Sequence, residues 1–249
     1  MKTFRCLILL LAILIYQPYL FASTFKWDIA TPESVGFSSD KLEKIKDTLV
    51  EKETKKLLII KNDKIIYQYF AEGWEDSVKN HYSASLAKAL VGGMSLAFTL
   101  NDGRVYPDMP ACLLVPEWKH HPQKSQITIR HLATHTSGLE DAEVDDETQR
   151  KMRAKDLHPH MDLQGWKGQF WRQEPDPFSV SRDKTQVSFT PGTHFNYSNP
   201  GIGMLTYAVT ASMKGSQYSD VRQLLRQRIF EPLGISENEY SIGYDQTYH

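Results

Sequence analysis

Ser85 and Lys88 stand three residues apart at the start of an apolar run, Leu86 to Leu100, that carries no other charged side chain. On a helix this spacing puts both side chains on one face, a turn apart. A helix that is apolar on all sides is expected inside a domain. Burial there disfavours the charged form of a lysine. A serine hydroxyl beside a lysine pushed toward its neutral, basic form can serve as nucleophile and base. The competing reading is a buried lysine neutralised by a carboxylate, with Ser85 as a helix cap.

The pattern Ser-x-x-Lys occurs four times, at Ser23–Lys26, Ser38–Lys41, Ser85–Lys88 and Ser181–Lys184. Context separates them. Ser23 lies at the end of a leader, Ser38 reads as the cap of a solvated helix, and Ser181 falls in a polar loop. Only Ser85 opens an apolar helix, where free amides and the helix dipole favour developing negative charge. A second chemical stretch runs from Phe189 to Gly203, where turn formers surround one phenol, Tyr197. Tyr197 and Asn199 lie two apart, so an extended or looped backbone projects them in a similar direction. Beside a lysine ammonium, a phenol loses its proton below its usual pKa of ~10. The Asn199 amide could orient that lysine or a substrate carbonyl.

The elements that must position these groups follow from the pattern around them. Lys2 and Arg5 precede an apolar run from Cys6 to Tyr16, and Ala22-Ser23 supply small residues. Residues 1–22 are therefore expected to be a secretory signal peptide, which places the protein outside the cell or in the periplasm. The apolar run is short of the ~20 residues a span needs, so no stable membrane insertion is expected after cleavage. Cys6 leaves with the leader, so the mature chain keeps Cys112 alone and forms no internal disulfide. A net charge of −1 gives no reason to propose nucleic acid as a partner.

Residues 38–53 read as a solvated surface helix. Two β-branched and aromatic runs flank Asn62-Asp63, the signature of a hairpin. Asn101-Asp102-Gly103 ends the central helix. His131 and His135 are spaced for a helix face, but Leu132 stands where a zinc-protease motif needs glutamate, so both are expected to be structural. Glu140 to Glu147 reads as a solvated acidic loop. Residues 148–190 are polar and show no periodicity. Such an excursion suits a lid or substrate-binding insert, with Trp166, Phe170 and Trp171 packing as a satellite core. Residues 219–229 read as an amphipathic helix.

Three stretches together, Tyr82-Ser-Ala-Ser-Leu-Ala-Lys88, Ile127-Thr-Ile-Arg-His-Leu-Ala-Thr-His-Thr-Ser-Gly-Leu139 and Pro191-Gly-Thr-His-Phe-Asn-Tyr-Ser-Asn199, resemble the serine β-lactamase-related superfamily. This group includes class C β-lactamases, D-alanyl-D-alanine carboxypeptidases and related esterases. The resemblance runs from Trp27 to the end. It implies an α+β fold over residues 23–249, with an antiparallel sheet, helices on its faces and a mostly helical subdomain. It also implies an acyl-enzyme route on an ester, amide or β-lactam, with a small-molecule or peptidoglycan-like substrate. Ser85 would attack, Lys88 and Tyr197 would share the proton, and Asn199 would hold substrate and lysine. The oxyanion would sit on the Ser85 amide and on another from a sheet edge. No metal or organic cofactor is implied.

One departure is notable. The family carries a further Lys-x-Gly or His-x-Gly motif downstream of the tyrosine, and no such tripeptide occurs here; Trp166-Lys-Gly168 precedes Tyr197. The expectation is a partial domain whose C-terminal part is missing and whose turnover is impaired. The alternative function is a non-catalytic binder of penicillin-like or peptidoglycan-like ligands. A third reading is an unrelated secreted domain in which Ser85 and Lys88 are only core chemistry.

Overall fold

Asn62 and Asp63 both take left-handed backbone angles, φ 51° and 57°, as the two central residues of a tight hairpin turn require. The computed structural model describes residues 26–75 and 83–242; the leader expected at 1–22 lies outside them. Three strands, β1 (Asp28–Ile29), β2 (Lys56–Lys61) and β3 (Lys64–Phe70), form a sheet in the order β1-β3-β2. The sheet is mixed rather than purely antiparallel. β2 and β3 pair antiparallel across the hairpin, whereas β1 runs parallel to β3. The chain passes through helix α1 (Ser39–Glu51) and β2 before β3 re-enters in the direction of β1.

Ser38 caps α1, its hydroxyl accepting from the Lys41 amide at 3.4 Å. The Tyr67 hydroxyl of β3 donates to Glu43 of α1 at 2.8 Å. These elements and Glu231–Ser236 make one compact unit; residues 83–230 and 237–242 make another.

The second unit is helical. A π-helical turn, Lys88–Gly93, runs into α2 (Met94–Asn101), and the chain breaks away at Gly103, φ 67°. Next come α3 (Ile129–Ala133), α4 (Asp146–Arg153), α5 (Gly165–Arg172), α6 (Pro177–Asp183), α7 (Asn199–Ser212) and α8 (Val221–Leu225). α7 packs against α2, α3, α6 and α8. Around it Trp118, Ile127, Leu132, Met204, Leu205 and Leu224 are wholly buried.

Two expectations change here. The central helix is not buried on all sides. Gly92, Ser95 and Thr99 are buried, but Leu86 and Leu90 are 59% and 52% exposed, and Met94 is exposed too. Within this unit α7 and α8 cover one side of it, and the opposite stripe at i, i+4, i+8 is left open. Second, residues 148–190 form helices rather than a structureless excursion. Asp145 accepts from the Thr148 amide, and Asp176 from those of Phe178 and Ser179, all at 2.8 Å. Helices of seven or eight residues are too short to show a period; side-chain caps mark α4 and α6, and α5 has none.

Candidate active site

Ser85 follows Ala84, whose φ of 44° is left-handed. An alanine held there is strained, at a cost of about 1–3 kcal/mol. A tight turn follows, in which the amides of Leu86, Ala87 and Lys88 donate to the carbonyls three residues back at 3.0–3.1 Å. The turn holds Ser85 and Lys88 on one face. The Lys88 ammonium donates to Ser85 Oγ at 3.0 Å. Lys88 is half-buried rather than deep in a core, and Ser85 is exposed. The Ser85 backbone amide makes no hydrogen bond among the described residues.

The phenol arrives from 112 residues later. Tyr197 Oη donates to Ser85 Oγ at 2.7 Å, and the Lys88 ammonium lies 5.0 Å from the centre of its ring. Ser85, Lys88 and Tyr197 thus meet at one oxygen atom. Tyr197 is 37% exposed and Ser85 is exposed too, so the cluster is open to solvent.

Asn199 is placed differently. It is the first residue of α7, and its backbone and side-chain amides both donate to Asp141 Oδ1, at 2.8 and 3.0 Å. The same carboxylate oxygen accepts from the Ala142 amide at 2.8 Å. No hydrogen bond among the described residues joins Asn199 to Ser85, Lys88 or Tyr197. The acidic stretch that supplies Asp141 is not a solvated loop at its start. Glu140 pairs with Lys167 at 3.0 Å and Glu143 with His160 at 2.8 Å, all four half-buried. The pattern hid these pairs because the partners lie on α5 and the segment before it.

The two histidines divide. His131 is structural: its amide donates to Thr128 Oγ1 at 3.2 Å, and its ring nitrogen accepts from the Thr128 amide at 3.3 Å, closing a capping box on α3. His135 instead lies against the phenol, its ring stacked on that of Tyr197 with centroids 4.6 Å apart. Burial, and then the neighbouring Lys88 charge, push its pKa below the ordinary 6.5; Asp141 pulls the other way. The contacts of His135 with Tyr197 and of Asp141 with Asn199 were not legible in the sequence. The one available signal was that both fall in or beside the stretch from Ile127 to Leu139. Among the described residues no group of three or more His, Cys, Asp or Glu side chains could hold a metal ion.

The β-lactamase family model matches residues 58–245. Among solved structures, the chain is similar to a D-amino acid amidase from Ochrobactrum anthropi, with 24% identity, a TM-score of 0.52 and 78% of this chain covering 49% of that one. A class C β-lactamase matches at 16% identity and a TM-score of 0.51, with 84% of this chain covering 55% of that one. EstCE1, a hydrolase with promiscuous acyltransferase activity, matches at 16% identity and a TM-score of 0.50, with coverage of 82% and 52%. The chain spans about half the length of the solved structures it matches. No curated protein matches it.

Proposed function

The chain belongs to the β-lactamase family, and from that premise we propose that it is an exported serine hydrolase working through an acyl-enzyme on Ser85. The observation that carries this reading is the meeting of Lys88 Nζ and Tyr197 Oη at Ser85 Oγ, at 3.0 and 2.7 Å. In the reaction, Oγ bonds to a carbonyl carbon while its proton passes to the Lys88–Tyr197 pair, one member of which enters the step unprotonated. The pair then protonates the leaving atom as its bond to carbon breaks. Water attacks the resulting ester, gives its proton to the same pair, and Oγ recovers a proton as the acid departs. The Ser85 amide, with no hydrogen bond among the described residues, is available to the developing oxyanion.

The structural neighbours, an amidase, a β-lactamase and a hydrolase with promiscuous acyltransferase activity, set the substrate panel. Hydrolysis of nitrocefin, p-nitrophenyl acetate and an amino-acid amide is measured on the full chain and on Ser85→Ala. The variant is expected to lose on the order of 10³-fold or more in kcat, and wild type to show an acyl adduct on Ser85 by mass spectrometry. Turnover that survives Ser85→Ala would sink the proposal. A stable penicillin adduct on Ser85 without product release would instead support the non-catalytic binder. Export rests on the leader: sequencing the N-terminus of secreted or periplasmic material should find a start close to Ser23, and material that retains Met1 would contradict it.

A further inference from the structure

His135 grips the segment that carries the phenol at three points. Its carbonyl accepts from the Asn196 amide at 2.8 Å, and its ring Nδ1 accepts from the Ser198 amide at 3.1 Å. Its ring also stacks on Tyr197 between them, 24° from parallel. Residues on either side of Tyr197 are therefore fixed to the residue that supports its ring. An Nδ1 that accepts a hydrogen bond carries no proton, so the proton of the neutral ring lies on Nε2. The backbone of His135 is left-handed, φ 56°, a conformation more often taken by histidine, asparagine or aspartate than by other side chains. The charged and titratable groups around it are Lys88 from the central helix, Asp141 from the following loop and Tyr197 itself.

The geometry points to His135 as a positioning residue: as a neutral imidazole it carries Tyr197 and fixes where the phenol meets Ser85. The inference rests on the serine-hydrolase reading. Protonating Nδ1 would break the bond to Ser198 and add a cation beside Lys88, so the phenol would lose its support. The lowered pKa of His135 agrees, because burial and Lys88 both resist that proton. Activity that depends on neutral His135 is then still present at the ordinary histidine value of 6.5 and is lost only as the pH falls through the depressed pKa below it.

Two variants separate the roles. His135→Asn suits the left-handed backbone and offers Oδ1 in place of Nδ1, but has no ring and no titration. His135→Phe keeps a ring and loses the acceptor and the proton. His135→Asn is expected to melt close to wild type, to lose on the order of 10²-fold in kcat with little change in KM, and to lack the acid fall in kcat that wild type shows. A His135→Asn enzyme with wild-type kcat and an unaltered acid limb overturns the inference. His135→Phe should recover part of kcat and also lack the acid limb; an acid limb kept by both variants overturns it as well. If wild type and Ser85→Ala are equally inactive, the hydrolase reading has failed, and the nitrogen spectrum of the imidazoles decides for His135. A proton on Nε2, with ring signals that move in Tyr197→Leu, supports the platform. A proton on Nδ1, or signals indifferent to Tyr197, removes it.

Discussion

The sheet unit and the helical unit of this chain differ in how much they hide. In the helical unit, sixteen residues form one buried apolar cluster. Among the described residues of the sheet unit, only Leu42 of α1 and Ile66 of β3 are buried, while Ile29, Leu58 and Ile60 are exposed. Burial of apolar area is the main favourable term in folding. The rigidity that holds Ser85, Lys88 and Tyr197 in contact therefore comes from the helical unit, which contains all three. Chemistry needs fixed distances between groups from distant parts of the chain. A dense core supplies them where a small three-stranded sheet cannot.

The largest expected effect separates the two units most sharply. Trp118 is 1% exposed, and its indole donates to the Arg182 carbonyl at 3.0 Å. Trp118→Ala should cost about 3–5 kcal/mol, from lost burial and the cavity left behind, with a large drop in the denaturant midpoint followed by circular dichroism. Ile66→Ala should cost about 2 kcal/mol, the low end for such a change, because its surroundings are open enough to relax. Amide exchange read strand by strand should show β2 and β3 opening before α7 in wild type. Equal losses from the two substitutions, with equal protection, would erase the distinction between the units.

The same contrast explains what the sequence could and could not tell. The Asn62-Asp63 hairpin, the Ser38 cap and the end of the central helix at Gly103 were legible because each depends on neighbours a few residues away. The proximity of Tyr197 to Ser85 rested on motif order, since no local pattern spans 112 residues. The exposed stripe on the central helix was misread. Apolar composition fixes that a helix can be buried, and the elements packed on it decide how much of it is. Helices α4 to α6 escaped because seven or eight residues are too few to establish a period, even in α5 with Trp166, Phe170 and Trp171. The contact between His135 and Tyr197 was invisible for another reason. His131, four residues earlier in the same motif, has the same side chain and a structural task, and only the loop at 194–198 tells them apart.

The smallest expected effect is the most direct probe of the sheet unit. Leu58 lies in β2, at the edge of the sheet among the described residues, opposite Gln68 of β3, and is 52% exposed. Threonine is β-branched and so suits a strand, and it removes apolar surface that water already reaches. Leu58→Thr should therefore change stability by no more than about 0.5 kcal/mol, as surface substitutions do. The denaturant midpoint of the purified chain and of the variant measures it. A loss of about 2 kcal/mol or more is the size expected when a buried leucine is cut back. It would mean that something covers this face in solution and that the sheet unit is better packed than its own residues suggest. Repeating the measurement over a range of protein concentrations would then identify a second copy as the cover, because stability gained by association rises with concentration.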